Sequence, residues 1–408
     1  MSELLEIGDR IVALARPGEQ VEVVVGRATS TEVRAYDGQV EQFASATSAG
    51  VGVRVIAGNR QGFAYAGTLD ADVMAETLAE ARDNATFATD DEWLGLAEPD
   101  GLAVPALDLY RESLTRVSTD AKIDLALELE RAVRAADPRI TGVESADYAD
   151  GVSEGAVVST TGIRTYGRET SCYVAAHCVA TDGDDTQTGF GFSVGRTLDD
   201  LDVSVAAGDS ARRATRLLGA TKPASGRVTV VLDPYVTAQF LGIIGSTLSG
   251  EAVLKGRSLF ADRLGESVAA AGFTLVDDAT NPLAYSSSET DGEGLASRRN
   301  VLIAYTARRA CTASTANAVR GYSSTPGVAC RALSLAPGAR LQPELLAGVG
   351  DGVLISSVSG LHSGVNPVSG DFSTGAEGLR IAGGALAEPL REFTIASTLQ
   401  KMLAEVAE

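Results

Sequence analysis

Glu251 stands in the stretch "LSGEAVLKGRSLF" (248–260), where a glutamate has the chance to take a proton from a metal-bound water. That chemistry needs a histidine directly before the Glu and a second about one helical turn later. Both must be neutral ligands, and they must leave one coordination position to the water. Here the two positions hold Gly250, which has no ligating atom, and Lys255, whose charge repels a dication at short range. By chemistry alone, Glu251 reads as a surface, capping or ion-paired helix residue.

A second group of reactive side chains lies in "CYVAAHC" (172–178). If this run is a strand, side chains alternate between faces, so Cys172 and Cys178 share one face and His177 points the other way. A Cys–His pair or a three-ligand zinc site is geometrically awkward there, and buried thiols beside an incidental histidine are the expectation.

The other histidine, His362, sits in the Gly/Ser-rich "SGLHSGVNPVSGDFSTG" (359–375), with Asn366, Asp371 and Ser373 close by. Such a segment either lines a binding cleft or turns a corner, and both readings stay open. Spacing permits a Ser–His–Asp arrangement through His362, but no G-x-S-x-G elbow supports it. "TASTANAVRG" (312–321) offers hydroxyls without a partner base.

The elements that must hold these residues follow from patterning. The chain has 408 residues, 45% hydrophobic and 22% charged, which suits two domains with cores of their own. Only 5% is aromatic, so Ala, Val, Leu and Ile fill the core. A formal net charge of −20 argues against direct nucleic-acid binding and against anionic membrane surfaces. The first twenty residues lack a signal-peptide pattern, and Leu4, Leu5, Ile11, Val12 and Leu14 suggest an amphipathic helix. No apolar run approaches the roughly 20 residues that span a bilayer. Four cysteines in so long a chain point to a reducing cytoplasm rather than a disulfide framework.

Residues 20–66 read as hairpins, with Asp37-Gly38 and Gly58-Asn59 as turns. Helices are expected at 70–86 and 119–137, then a second antiparallel run over about 140–203 with turns at Asp150-Gly151 and Thr161-Gly162, then a helix over 204–219. "GATKPASGR" (219–227) reads as a linker and "VTVVLDP" (228–234) as the first strand of a new domain. No short tandem repeat is visible. The expectation is an α+β protein. An N-terminal α/β domain (1–220) with antiparallel hairpins and helices precedes a mostly β C-terminal domain (221–408), barrel-like or a rolled sheet.

Several separated segments carry a family resemblance. They are "TSTEVRAYDG" (29–38), "GVGVRVIAGNRQGFAY" (50–65), "GRSLFADRLGESV" (256–268), "DGEGLASRRNVLI" (291–303), "STANAVRG" (314–321) and "GVNPVSGDFSTGAEG" (364–378). In this order they resemble the TldD/PmbA family, the modulator of DNA gyrase proteins, and within it the PmbA (TldE) branch. The resemblance covers nearly the whole chain and implies the two-domain fold above, with a C-terminal metallopeptidase-like domain.

In the TldD branch the corresponding helix carries HExxxH, with a further cysteine ligand nearer the C-terminus. Carried over by position, the first His falls on Gly250, the Glu on Glu251 and the second His on Lys255, while no cysteine follows Cys330. Residues five apart on a regular helix point about 140° away from each other, so that motif itself implies a distorted turn. The resemblance thus implies no catalytic residue and no metal in this chain. Glu251 looks like the remnant of a general base, and the zinc belongs to a TldD-like partner in a heterodimer that cleaves short or unfolded peptides. Family tasks of this kind include trimming leader peptides and degrading a labile antitoxin. His362, Asn366, Asp371 and Ser373 are the candidates for a substrate cleft. Family chains usually run one short β segment beyond "TIASTLQKMLAEVAE", so the C-terminal edge or interface is expected to differ here. Two other classes compete. One is a self-sufficient hydrolase using Ser, Thr or Lys255 in place of zinc, and the other is a homo-oligomeric binding or scaffold protein.

Overall fold

The computed structural model describes residues 2–304, 306–307 and 329–407. Helix α1 (Glu3–Val12) starts at Ser2, whose hydroxyl accepts the Leu4 N–H at 3.3 Å, and buries Leu4, Leu5, Ile7 and Ile11. Leu14 falls beyond its end and is exposed, so the apolar side is one turn shorter than the sequence pattern suggested.

Three long strands follow: β1 (Gln20–Tyr36), β2 (Gln39–Ala57) and β3 (Arg60–Ala66). Both hairpin turns are as expected, because Asp37, Gly38, Gly58 and Asn59 all hold positive φ between 50° and 74°. Then come α2 (Ala71–Phe87), the short α3 (Glu112–Thr115) and α4 (Thr119–Ala136). Strands β4 (Ile140–Ser159), β5 (Arg164–Asp182) and β6 (Asp185–Gly195) lead to α5 (Val203–Thr215). The six strands form one antiparallel, curled half-barrel sheet in the order β3-β2-β1-β4-β5-β6.

The Asp150-Gly151 turn does not exist. Both residues lie inside β4, where Asp150 pairs with Thr31 on one side and Cys172 on the other. The Asp150 carboxylate is buried and accepts the Tyr148 hydroxyl at 2.6 Å, with the Lys122 ammonium of α4 at 2.5 Å. Lys122 from another element and Tyr148 from the same strand satisfy a side chain that, read locally, would favour a turn.

The sheet is built twice over. The order α1-β1-β2-β3-α2 recurs as α4-β4-β5-β6-α5, and β1 and β4 meet antiparallel at the centre. In each half the closing helix lies directly on strand glycines. A Cβ at Gly62 of β3 would stand 1.9 Å from the Ala81 oxygen of α2, and one at Gly191 of β6 would stand 2.0 Å from the Ala206 oxygen of α5. The duplication is one of element order, which a search for short repeats cannot see. One cluster packs around α1 and α2 with Val21, Val23, Val25 and Val53, and a second around α4 and α5 with Val33, Tyr148, Val174 and Cys178. Odd-numbered residues of β1 serve both clusters, so all four helices cover the same face of the sheet.

The segment read as a linker is tied down. The Thr221 N–H donates to Pro389 O, and Thr221 O accepts the Arg391 N–H. Beyond it lie β7 (Thr229–Leu232), α6 (Pro234–Thr247) and α7 (Gly250–Leu254). Strands β8 (Thr274–Asp278), β9 (Arg299–Ala304), β10 (Thr306–Ala307) and β11 (Leu333–Leu335) form a four-stranded sheet in the order β10-β9-β8-β11. After α8 (Gln342–Val349) come β12 (Gly352–Ser359), α9 (Leu361–Gly364), β13 (Asp371–Ala382), β14 (Ala385–Thr398) and α10 (Leu399–Ala404). Their sheet has the order β14-β13-β12-β7, with β7 and β12 parallel. Helix α6 is the centre of this half, because Val236, Phe240, Ile244 and Leu248 are all nearly fully buried among residues of both sheets. Among the described residues, no helix is long and apolar enough to cross a membrane.

Candidate functional site

Helix α7 is a single turn. Its N-cap Ser249 accepts the Ala252 N–H at 3.0 Å, and Lys255 is its C-cap. The Lys255 ammonium donates to the Glu251 carboxylate at 2.7 Å, an i,i+4 pair with both side chains partly exposed. The two positions that would carry a general base and a metal ligand are thus bound to each other. Gly250, the third position of the comparison, opens the helix without a side chain.

The segment 361–373 folds into a small knot on the C-terminal sheet. The Asn366 side-chain oxygen accepts the N–H groups of Val368 and Ser369, at 2.9 and 3.2 Å, and its backbone closes the loop by bonding Asp371 O and the Gly370 N–H. The Asp371 carboxylate accepts the Ser369 hydroxyl at 2.7 Å. Gly370 has φ 82° and packs against Gln400, a conformation and a closeness that only glycine permits without strain. Asn366, Asp371 and Ser373 line one open depression of about 490 Å³ together with Ser363, Gly364 and Val365. His362 is exposed on α9 and is not part of that lining. No hydroxyl or carboxylate hydrogen-bonds its ring among the described residues, so the knot does not assemble a Ser–His–Asp arrangement.

One contact joins the two regions. Phe372, between Asp371 and Ser373, stands edge-on to Phe240 with ring centroids 5.2 Å apart. Phe240 belongs to α6, the helix that leads into Glu251. The hydrophobic core thus ties the depression to α6, the helix that precedes α7.

The Cys172–Cys178 run behaves as strand alternation requires. Both thiols are buried on the helix-covered face, and His177 is exposed on the opposite one, 6.2 Å from the Phe190 ring. Burial pushes the Cys172 thiol up to about 12 and raises Cys178 as well, so neither is a nucleophile at neutral pH. Among the described residues, no three His, Cys, Asp or Glu side chains converge as a metal site would need. "TASTANAVRG" (312–321) lies outside the described residues.

Sequence reasoning passed over the buried Lys122–Asp150–Tyr148 cluster because it took Asp150 for a turn. Burial and hydrogen bonding to Asp150 drive the Tyr148 hydroxyl far above its ordinary range, so it acts as a donor only. The signal available in sequence was a lone Lys on the inner side of an amphipathic helix, which requires an anionic partner when buried.

Comparison with known proteins adds to this geometry. Family models described as PmbA/TldA metallopeptidase domain 1, central domain and C-terminal domain match residues 21–85, 112–218 and 225–408. The chain is 26% identical to the metalloprotease PmbA of Escherichia coli O157:H7 over 402 residues, covering 93% of this chain and 85% of that protein. A crystal structure from Thermotoga maritima, described as a modulator of a DNA gyrase, superposes with a TM-score of 0.89 at 23% identity, covering 98% of this chain and 94% of that one. TldE from Thermococcus kodakarensis superposes with a TM-score of 0.87 at 21% identity, covering 99% and 92%.

Proposed function

We propose that this chain, which belongs to the PmbA/TldD/TldE metallopeptidase family, is a non-catalytic TldE-type subunit. In this reading it pairs with a TldD-like chain in the cytoplasm, and the pair cleaves short or unfolded peptides, as in leader-peptide trimming or antitoxin degradation. The observation that carries the reading is the ion pair of Glu251 and Lys255 at 2.7 Å, with Gly250 beside it. Zinc requires neutral or anionic donors, and an ammonium and a glycine do not fit that need. We therefore assign the zinc to the partner chain and derive no step through a metal here. The likeness to PmbA and to TldE supports the assignment of branch.

In the same reading, this chain contributes one wall of the peptide cleft. Asn366, Asp371 and Ser373 line it, and His362 lies near its rim. A net charge of −20 opposes contact with DNA, so the gyrase description attaches to the structural neighbour alone.

The test is co-expression with a chain bearing HExxxH. Zinc content and peptide cleavage are then measured for each subunit alone and for the pair. Cleavage by this chain alone, with stoichiometric zinc or without any metal, sinks the proposal.

A further inference from the structure

The duplicated architecture contains its own control for a surface that no chemistry above has used. In each half, the middle strand of the hairpin pair is longer than the strand that closes it. Strand β6 pairs only with residues 172–182 of β5, and β3 only with residues 51–57 of β2. The first halves of β5 and β2 therefore each present a free outer edge.

In the second half of the sheet, that edge is met by the chain itself at Thr170. The Thr170 N–H donates to Leu109 O at 3.0 Å, the Arg111 N–H donates to the Thr170 hydroxyl at 3.0 Å, and the Arg196 guanidinium donates to Thr170 O. The segment that meets it, around residues 109–111, belongs to no sheet. Among the described residues, nothing takes its place in the first half. Residues 39–48 of β2 are all exposed, and among the described residues the backbone of 42–50 bonds only to β1.

Natural edges are blunted by Lys, Pro, bulges or inward charges. The run Gln42-Phe43-Ala44-Ser45-Ala46-Thr47-Ser48-Ala49-Gly50 has no charge and no Pro, and the one register shift falls before it, at Glu41. Its side chains are mostly Ala, Ser and Thr. Ala and Ser are depleted at interfaces between folded proteins, which are anchored by aromatic and Arg side chains. An edge of small residues offers main-chain hydrogen bonds with little side-chain selection. Exposed Glu32 and Glu41 border it, while Arg34 is engaged by Asp147 at 2.7 Å and Asp37 lies 3.7 Å from Arg134. The local charge is acidic and complements a basic peptide.

We propose that the free edge of β2, residues 42–50, binds an extended neutral or basic peptide as an added strand. This rests on the reading of the chain as a peptide-handling subunit, and it places a holding site well away in sequence from the 361–373 depression.

The test uses the full chain and a fluorescein-labelled peptide of about ten residues built from Ala, Ser, Thr and Lys. The expected result is binding by anisotropy, with new hydrogen-exchange protection confined to 42–50. Methylating alternate amides of the peptide should weaken binding about tenfold or more, the loss of one or two hydrogen bonds. Exchanging its Lys for Glu should weaken it as well. Ser45→Pro and Ala46→Pro are assayed beside it, each checked for an unchanged melting temperature. One of the two removes an outward N–H and should lose binding. The proposal is overturned by undiminished binding of the methylated peptide, by absence of binding, or by amides 42–50 already protected in the dilute free chain. Protection that rises with protein concentration without peptide would assign the edge to a second copy and also overturn it. None of these outcomes touches the zinc and cleavage test above, so the two readings fail separately.

Discussion

The Lys255 ammonium lies 2.7 Å from the Glu251 carboxylate across one turn of α7. If Glu251 no longer serves as a base, Glu251→Gln should leave peptide turnover by the reconstituted pair within a few-fold of wild type. Loss of a working general base costs about 10² or more. A drop of that size with the partner still bound would return Glu251 to catalysis. Because the pair is partly exposed, its removal should change stability by only about 0.5 kcal/mol or less.

The purified chain should hold no stoichiometric zinc by elemental analysis. Gly250 and Lys255 cannot supply donors, and Cys172 and Cys178 are enclosed in the core. About one tightly bound zinc per chain would contradict this and direct attention back to Cys172, His177 and Cys178.

Asn366→Ala combined with Asp371→Ala should lower peptide turnover by the pair more than it lowers the melting temperature of the isolated chain. Asn366 caps two N–H groups and Asp371 one hydroxyl, all at an exposed loop, so about 1–2 kcal/mol of local stability is at stake. Unchanged turnover and unchanged partner binding would place the cleft elsewhere.

Gly191→Ala should destabilise the chain by about 1–3 kcal/mol, because its new methyl meets the Ala206 oxygen at the backbone of α5. Gly167→Ala, with nothing within 4 Å, is the control and should be neutral or slightly stabilising. Equal effects at both positions in chemical denaturation would show that α5 does not lie on β6 as described.

Cys172 gives a pH dependence whose sign is fixed by burial. Its folded thiol is pushed up to about 12, above the unfolded value, so the unfolded chain loses its proton first. The contribution to stability is complete below the unfolded pKa of about 8.5 and declines as pH rises from there towards 12. Cys172→Ala should flatten that alkaline decline in denaturation curves. In the native state at neutral pH, mass spectrometry should find Cys172 and Cys178 unmodified by iodoacetamide.

The hairpins, the two long helices of the first half and the β-rich second half were legible because their signals are local. Asp37-Gly38 and Gly58-Asn59 demand positive φ, and apolar spacing sets the helix faces. The lack of donors at Gly250 and Lys255 was equally legible, since ligating ability is a property of the residue alone. What sequence could not determine is where elements distant along the chain meet. Asp150-Gly151 became mid-strand, with the carboxylate held by Lys122 from the distant helix α4 as well as by Tyr148 two residues back on β4. Asn366, Asp371 and Ser373 share a depression because Phe372 anchors them to Phe240, while His362, closer in sequence to Asn366, stays outside its lining. The open edge of β2 and its counterpart on β5, met at Thr170, differ through the tertiary path of residues 109–111 and the placement of Arg196. Turn chemistry and ligand chemistry are written residue by residue, whereas burial, pairing and edge exposure depend on which elements pack together, and that is set by the whole fold at once.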